Sequence, residues 1–190
     1  MIHNSSVIDK KAKISSKIKI ALLTEHVPLN KVVDQITTEL IKNRVQLVEN
    51  SLKNDFMIKK PKIAILSINP HVGDGGVIGK DDGVILIPTI QEISKSGIDI
   101  SGPYASDSFF GTNMYKSFDA IIATDHDQGL IPFKTLTFGN GVNFTAGLNV
   151  VRTSPDHGTA YDIAGKNIAN PSSFKSAILQ ALNIIKNRQK

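Results

Sequence analysis

Three histidines stand in the same position relative to three apolar segments of the chain. They are His26 after residues 18–24, His71 after 63–68 and His126 after 118–124. Each segment has the length and the composition of a buried strand. Because the carboxyl ends of parallel strands lie along one edge of a sheet, we expect the three imidazoles to converge at that edge.

A metal site is the chemistry that such a set of histidines favours. Neutral imidazole binds borderline divalent metals well, and three protein ligands with an open position are typical of a catalytic metal centre. The chain has no cysteine, which excludes thiolate ligands, disulfides and cysteine nucleophiles. A single loop histidine is more often an ordinary hydrogen-bonded residue, but three in one context favour a site. His3 and His157 do not share that context.

Other loops carry groups that could meet a ligand. The glycine-rich loop at residues 73–79 can approach a ligand closely, although such loops are usually only turns, and this one is not a Walker loop. Lys134 and Arg152 are cations next to apolar runs. A structural ion pair and a bound phosphate or carboxylate explain them equally well.

The elements that must position these residues alternate between strands and helices. After the first strand, apolar residues recur at helical spacing over residues 33–47, and Asn30 is the predicted N-cap of that helix. Further helices are predicted at residues 84–93 and 172–187. This alternation is typical of βαβ units, so we predict an α/β fold with a mixed, largely parallel sheet and flanking helices.

Composition narrows the class of protein. The chain has 190 residues, 41% of them hydrophobic, which is enough for a globular core. Part of the net charge of +5 comes from lysines at the two ends, and residues 1–17 are predicted to be a loose basic arm. We find no apolar run of about 20 residues, no secretory signal and no nucleic-acid-binding module. We therefore expect a cytoplasmic protein that binds neither a membrane nor nucleic acid.

Several short motifs occur in a specific order and spacing. They are Asn69-Pro-His-Val-Gly-Asp-Gly-Gly76, Gly102-Pro103 with Asp107, His126-Asp-Gln-Gly129 with Lys134, Val142-Asn143, and Arg152-Thr-Ser-Pro-Asp-His-Gly-Thr159. Together they resemble the 4-hydroxythreonine-4-phosphate dehydrogenase family, from about residue 18 to the C-terminus. The combination is highly specific, whereas any one motif alone would be weak support.

The resemblance implies roles for individual residues. His26, His71 and His126 would ligate a divalent metal (zinc, magnesium or cobalt) shared across a homodimer interface, with His126 facing the other two. Lys134, Asn143 and Arg152 would contact a small phosphorylated substrate, and Asp107 and Lys134 would be catalytic. The stretch from His157 to Lys166 is also similar to the adenosine-binding loop of isopropylmalate dehydrogenases. That similarity places four residues near NAD: Gly158, Thr159, Ala160 and Asp162.

The resemblance also implies a fold and a domain organisation. The fold would be isopropylmalate/isocitrate dehydrogenase-like, but incomplete relative to the two-domain family fold. Residues 18–168 would form the dimerising α/β domain, and residues 169–190 a helix that packs on the largely missing domain. A preceding family segment with a substrate-binding His-Thr pair has no counterpart here, so we expect a truncated form. Asp125 and Asn149 replace a common tyrosine and a common proline, so the local loop shape is expected to differ.

The implied activity is NAD- and metal-dependent oxidation, with decarboxylation, of 4-phosphohydroxy-L-threonine in pyridoxal phosphate (vitamin B6) biosynthesis. One alternative is a sister dehydrogenase that acts on a phosphorylated four-carbon sugar acid. The other alternative is a non-catalytic, metal-binding dimeric remnant.

Overall fold

A computed structural model describes residues 11–15 and 18–190. A seven-stranded sheet has the order β4-β3-β5-β2-β1-β6-β7. The strands are β1 (Lys11–Ile14), β2 (Lys19–Leu22), β3 (Ile63–Leu66), β4 (Ile100–Tyr104), β5 (Ala120–Ala123), β6 (Val142–Thr145) and β7 (Thr153–Pro155). The helices are α1 (Val32–Gln35), α2 (Thr38–Asn54), α3 (Ile87–Lys95), α4 (Ser106–Gly111), α5 (His126–Thr137) and α6 (Ser172–Arg188).

The sheet has a parallel part and an antiparallel part. Strands β4, β3, β5 and β2 pair in parallel, and β1, β6 and β7 extend the sheet in antiparallel fashion. Parallel strands require crossover helices that cover the faces of the sheet, and the helices here supply that cover. The predicted α/β fold with a mixed sheet is therefore confirmed.

Strand β1 corrects the predicted N-terminal arm. Lys11–Ile14 pairs with β2 on one side and with β6 on the other, in the middle of the sheet. Ile14 is 2% exposed and packs with Phe144, which gives the segment a buried face. The prediction of a loose arm is wrong for residues 11–14, and residues 1–10, 16 and 17 lie outside the described residues.

The first long helix begins later than the sequence indicated. Leu29–Lys31 forms a 3-10 turn and α1 ends at Gln35, after which Ile36 adopts an extended conformation. Thr37 then caps α2, since its side-chain oxygen accepts a hydrogen bond from the Leu40 N–H at 3.1 Å. Thr37 rather than Asn30 is therefore the N-cap of the long helix.

Three apolar clusters hold the layers together. One face of the sheet packs against α2 and α3 through residues such as Val45 and Ile90, and the opposite face packs against α4 and α5 through Phe109 and Phe133. A third cluster lies between the antiparallel strands and α6. Among the described residues, no helix is both long enough and apolar enough to cross a membrane.

The predicted closing helix is present as α6. Its residues Ala177 and Ile184 are buried against the sheet, and Arg188 forms an ion pair with Asp55 at 2.6 Å. Five large apolar side chains on α6 stay substantially exposed: Phe174, Ile178, Leu179, Leu182 and Ile185. That this exposed face packs on a further domain remains a prediction.

Candidate functional site

The three histidines follow three adjacent parallel strands. In the sheet β3 pairs with β5 and β5 pairs with β2, and these strands precede His71, His126 and His26 respectively. The expected placement along one edge of the sheet is therefore observed. The edge is the place where open α/β sheets bind their ligands.

His26 and His126 face each other across a small pocket. Their ring centres are 5.9 Å apart, with the ring planes at 42°. The pocket has a volume of about 90 Å³. Glu25 and Asn143 also line it, together with the apolar side chains of Ile20, Leu22 and Leu130. Two imidazoles and two oxygen-bearing side chains thus meet above an apolar floor.

Helix α5 positions His126 at its first residue. The Asp125 carboxylate caps the helix by accepting a hydrogen bond from the Gln128 N–H at 3.0 Å. Gly129 lets the helix approach the sheet closely, because a Cβ there would lie only 2.5 Å from Leu22 Cδ2. The close approach brings the start of α5 towards the end of β2, where His26 lies.

The ring of His126 has a fixed orientation. Its Nδ1 lies 2.7 Å from Asp127 Oδ1. A hydrogen bond from Nδ1–H to that carboxylate leaves Nε2 with its lone pair available to a ligand. The Asp127 side chain is 77% exposed, so the contact orients the ring more than it stabilises the fold.

A buried polar network ties the three strand ends together. Thr24 Oγ1 donates to the Thr124 carbonyl at 2.8 Å, which links the β2 and β5 ends. Gln128 Nε2 donates to the Ser67 carbonyl at 2.7 Å, while Gln128 Oε1 accepts from the Thr124 N–H at 2.6 Å. The loops that carry the histidines therefore begin at strand ends that hydrogen bonds hold together.

His71 lies on a loop of unusual conformation. All residues from 71 to 76 have positive φ, including His71 at 51°, Val72 at 58° and Asp74 at 45°. The left-handed conformation costs roughly 1–2 kcal/mol for each non-glycine residue and is least favourable for a β-branched one. Such strain persists only where surrounding contacts impose it, and it is concentrated at functional sites.

The three histidines do not form one cluster within the chain. Among residues 11–15 and 18–190, no group of three or more His, Asp or Glu side chains is placed to hold a metal ion. Since His26 and His126 lie together, His71 is the ligand that stands apart. Within one chain His126 lies beside His26, and the expectation that it faces the other two histidines across a dimer interface stays a prediction.

Asn143 is the polar group most clearly directed into the histidine pocket. Its Oδ1 atom is buried and has no hydrogen-bond partner among the described residues. A buried carbonyl oxygen without a partner costs about 1–3 kcal/mol, and a ligand that donates a hydrogen bond or a positive charge would remove that cost. Asn143 was predicted as a site residue, and the structure brings it to His26 and His126.

The two predicted cations do not line the pocket themselves: Lys134 lies on α5, and Arg152 directly precedes β7. Thr145 lies two residues beyond Asn143 on β6, hence on the same face of the sheet, and its Oγ1 accepts from Arg152 Nη1 at 3.0 Å. Lys134 lies two helical turns beyond His126 on α5, on the same side as Leu130. Both cations are exposed and accessible to an anionic ligand.

Asp107 lines a different, larger pocket. That pocket has a volume of about 490 Å³ and lies between α4 and α5. Asp127 and Gln128 also line it, so it adjoins the histidine pair through the carboxylate that contacts His126. The structure therefore does not bring the two predicted catalytic residues into one pocket: Asp107 lies on α4 and Lys134 on α5.

The segment predicted to bind a nucleotide forms an exposed turn. Gly158, Thr159, Ala160 and Asp162 are all accessible. Ala160 adopts a left-handed conformation with φ 50° and leads into a short 3-10 turn at Tyr161–Ile163. The turn is free to meet a ligand, but no surrounding wall encloses it among the residues that the structure describes.

The histidine pair fits a divalent metal. Two imidazoles bound to one ion at about 2.1 Å have ring centres roughly 5–6 Å apart, and the observed separation of 5.9 Å agrees. Nitrogen donors with a nearby carbonyl oxygen suit zinc, cobalt or a similar borderline ion. A complete site needs at least one more ligand.

Sequence reasoning missed the residues that build the base of the site. Gln128 lay within a recognised motif but received no role, and Asp82, whose bonds to the β3 loop are described below, was not singled out. Both side chains bond to backbone groups that are far away in sequence, so no local pattern identifies them.

Comparisons with known proteins agree on one family. The sequence matches the family described as "Pyridoxal phosphate biosynthetic protein PdxA" over residues 10–181. A 4-hydroxythreonine-4-phosphate dehydrogenase of Bacteroides thetaiotaomicron is 49% identical over 177 residues, which are 93% of this chain and 49% of that protein.

Solved structures give the same picture. A 4-hydroxythreonine-4-phosphate dehydrogenase from Klebsiella pneumoniae superposes with a TM-score of 0.80 and 33% identity, over 92% of this chain and 54% of that one. A terephthalate 1,2-cis-dihydrodioldehydrogenase from Burkholderia xenovorans LB400 superposes with a TM-score of 0.73 and 26% identity, over 91% of this chain and 55% of that one. The chain spans about half the length of the relatives it matches.

Proposed function

Because the chain belongs to the PdxA family of pyridoxal phosphate biosynthetic proteins, we propose that it provides the metal- and substrate-binding half of a 4-hydroxythreonine-4-phosphate dehydrogenase. The reaction is the NAD-dependent oxidation of the secondary alcohol of 4-phosphohydroxy-L-threonine, followed by loss of carbon dioxide. The product enters pyridoxal phosphate biosynthesis. The observation that carries the proposal is the His26–His126 pair facing the unpartnered Asn143 oxygen.

His26 and His126 are the proposed metal ligands within one chain. Asp127 Oδ1 lies 2.7 Å from His126 Nδ1, and a proton shared there would leave the lone pair of Nε2 for the metal. When bound, a divalent cation would supply Lewis-acid stabilisation of negative charge on the substrate oxygen, and NAD would accept the hydride. Ile20, Leu22 and Leu130 form the apolar floor of the pocket, and such a floor would strengthen electrostatic interactions above it.

Three further residues are proposed to grip the substrate. Asn143 Oδ1 would accept a hydrogen bond from an amino or hydroxyl group, because it is buried and lacks a partner. Lys134 and Arg152 would bind the phosphate and carboxylate groups, and Arg152 already holds a defined direction through Thr145. Asp107 is proposed as an acid–base group that acts from the larger pocket.

The cofactor site is proposed at the exposed turn of Gly158, Thr159, Ala160 and Asp162. The Asp162 carboxylate would accept hydrogen bonds from the ribose hydroxyls, and the glycine would allow the adenosine to approach the backbone. The turn precedes α6 in the chain. The nicotinamide end would require further walls that the described residues do not provide.

His71 is proposed to complete the metal site from a second copy of the chain. Within one chain it stands apart from the other two histidines. Exposed apolar side chains surround its loop, including Val77 at 84% and Val84 at 70% exposure, and such a patch favours an interface. A two-fold axis near this edge would place each loop against the histidine pair of the partner.

Metal binding tests the site independently of activity. A metal shared by two chains must couple metal affinity to dimer affinity. We expect Co²⁺ or Zn²⁺ to tighten the dimer in sedimentation experiments, and His126→Ala and His71→Ala to abolish the effect. His157→Ala is the matched control, since His157 does not line the pocket and its Nδ1 lies 2.9 Å from the Gly158 carbonyl oxygen. Equal metal affinity in all three variants would refute the site.

Activity tests the reaction. The chain is assayed for NADH production with 4-phosphohydroxy-L-threonine, NAD and Co²⁺, alone and joined to the remaining half of the Bacteroides thetaiotaomicron relative. We expect turnover in the joined protein and at least a hundredfold loss on His126→Ala, because misplacement of a reacting group by about 1 Å can cost that much. Metal binding without turnover in the joined protein would favour the non-catalytic remnant.

A sister dehydrogenase is the second candidate. The neighbour from Burkholderia xenovorans LB400 shows that a similar fold occurs in a dehydrogenase named for a different substrate. The metal ligands and the cationic side chains of Lys134 and Arg152 would also suit a phosphorylated four-carbon sugar acid. Relative kcat/KM for the two phosphorylated substrates in the joined protein decides between them.

A further inference from the structure

The carboxylate of Asp82 is buried beneath the His71 loop. The residue is 0% exposed and lies in the π-helical turn Asp82–Leu86 that leads into α3. Its Oδ1 accepts from the Ile68 N–H at 2.8 Å, and its Oδ2 accepts from the Asn69 N–H at 2.9 Å and from Asn69 Nδ2 at 3.0 Å. Three donors therefore converge on one buried negative charge.

These hydrogen bonds hold the backbone just after the end of β3. Ile68 and Asn69 immediately precede the Pro70–Gly76 turn that carries His71. The far end of the loop closes against the same region, because a Cβ at Gly79 would lie 2.5 Å from the Asn69 side chain. Asn69 is thus held between the Asp82 carboxylate and the Gly79 backbone.

A helix-capping role does not account for this geometry. A carboxylate that stabilises a helix N-terminus accepts hydrogen bonds from the first turn of its own helix. The donors to Asp82 instead lie 13 and 14 residues earlier in the chain. A buried charge is costly unless it is fully hydrogen-bonded. Here the hydrogen bonds come from Ile68 and Asn69, which follow the end of β3.

We propose that Asp82 is the positioning residue for His71: its carboxylate fixes the exit of β3 so that the left-handed loop presents His71 to the metal. The consequence for metal binding rests on the proposed function, whereas the consequence for loop conformation does not. A carboxylate is required because both oxygens must accept. An asparagine at position 82 would direct an N–H₂ group against a backbone N–H.

The test compares Asp82→Asn with Asp81→Asn. Asp81 is the matched control, because it is adjacent and its bond to the loop is the weaker one, accepted from Asn69 Nδ2 at 3.2 Å. The first measurement uses the metal-free chain: NMR of His71 and Val72 shows the short distance between amide and α protons that positive φ produces. The second measurement is Co²⁺ affinity.

We expect Asp82→Asn to lose the positive-φ signature at His71 and Val72 and to weaken Co²⁺ binding by roughly 10- to 100-fold, the range typical of residues that support metal ligands. Asp81→Asn should retain the signature and change affinity by less than about threefold. Asp82→Glu, which keeps two acceptor oxygens, should recover most of the affinity. An unchanged loop in Asp82→Asn would overturn the proposal.

Two further outcomes remain decisive. Should Asp82→Asn fail to fold, Asn69→Ala removes only the side-chain donor, and it should weaken Co²⁺ binding several-fold with the far-UV circular dichroism spectrum unchanged. An unaltered loop and affinity in that variant would then count against Asp82. If the wild-type chain binds no Co²⁺, the metal site fails, but the loop signature still decides the role of Asp82.

Discussion

Gln128 joins the ends of two neighbouring strands through one side chain. Its Nε2 donates to the Ser67 carbonyl beyond β3 at 2.7 Å, and its Oε1 accepts from the Thr124 N–H beyond β5 at 2.6 Å. Ser67 and Thr124 are almost completely buried, at 2% and 1% exposure. One amide therefore satisfies two backbone groups between the His71 and His126 loops, and Thr124 Oγ1 adds a longer bond to the same Ser67 carbonyl at 3.4 Å.

Replacing Gln128 by leucine should destabilise the fold. The buried Thr124 N–H would lose its partner, whereas the Ser67 carbonyl would keep its longer bond from Thr124 Oγ1 at 3.4 Å, so we expect a loss of roughly 1–3 kcal/mol in urea unfolding. Gln91→Leu is the control, because Gln91 is an exposed residue of α3. The control should change stability by less than about 0.5 kcal/mol. Equal effects of both substitutions would contradict the role of Gln128.

The sequence indicated where the histidines stand but not how their loops are held. Their placement follows from local patterns: each apolar strand is short, and its histidine comes directly after it. Gln128 and Asp82 act on backbone groups of distant segments, and no local pattern encodes such a bond.

Gly129 should not tolerate a side chain. A Cβ at this position would lie 2.5 Å from Leu22 Cδ2 and 3.1 Å from the Ala123 Cβ. We expect Gly129→Ala to cost about 1–3 kcal/mol, as overpacking of a core does, and to weaken metal binding by moving α5 away from His26. Gly83→Ala is the control, since nothing lies within 4 Å of its added Cβ. Unchanged stability in Gly129→Ala would show that α5 does not pack closely against the sheet.

The ion pair of Arg188 with Asp55 should hold the end of α6. Arg188 Nε lies 2.6 Å from Asp55 Oδ1, and Asn187 Nδ2 donates to the Asp55 carbonyl at 2.8 Å. Removal of one partner from a buried pair costs about 3–5 kcal/mol. Because the Arg188 side chain is 24% exposed, we expect a smaller loss of roughly 2–3 kcal/mol on Arg188→Leu.

Lys31→Leu is the control for that ion pair. The Lys31 and Asp34 side chains are 62% and 67% exposed, so their contact should contribute little to stability. Urea unfolding of both variants measures the difference. Loss of less than about 0.5 kcal/mol on Arg188→Leu would mean that the ion pair contributes little to holding α6.

Strand β1 shows a second limit of the sequence pattern. The stretch Lys11–Ile14 alternates lysine with apolar residues, but it has only four residues and lies in a lysine-rich region. Its assignment as a strand depends on partners far away, such as Val142 opposite Ile14. Charge composition favoured a loose segment, whereas tertiary pairing on both sides produces a strand.

Lys19 should make the stability of the fold depend on pH. Burial lowers the pKa of Lys19 from 10.5, and Asp119 offsets part of this effect. Its Nζ lies 5.2 Å from the centre of the Phe56 ring. In the folded state the charged form is disfavoured, so the unfolded chain binds the proton more tightly. Stability should therefore rise as the pH increases from the lowered folded-state pKa towards 10.5.

Lys19→Met should remove that dependence. Methionine has a similar length and no charge, and its sulfur can replace the contact with Phe56. We expect the variant to be more stable than the wild type at about pH 7, and the difference to shrink at about pH 10 as the wild-type lysine loses its proton. Lys42→Met is the control, because Lys42 is exposed and pairs with Glu92 at the surface. Urea unfolding at both pH values provides the measurement. If Lys19→Met is no more stable than the wild type near pH 7, or if its advantage grows with pH, the burial of the Lys19 charge does not limit stability.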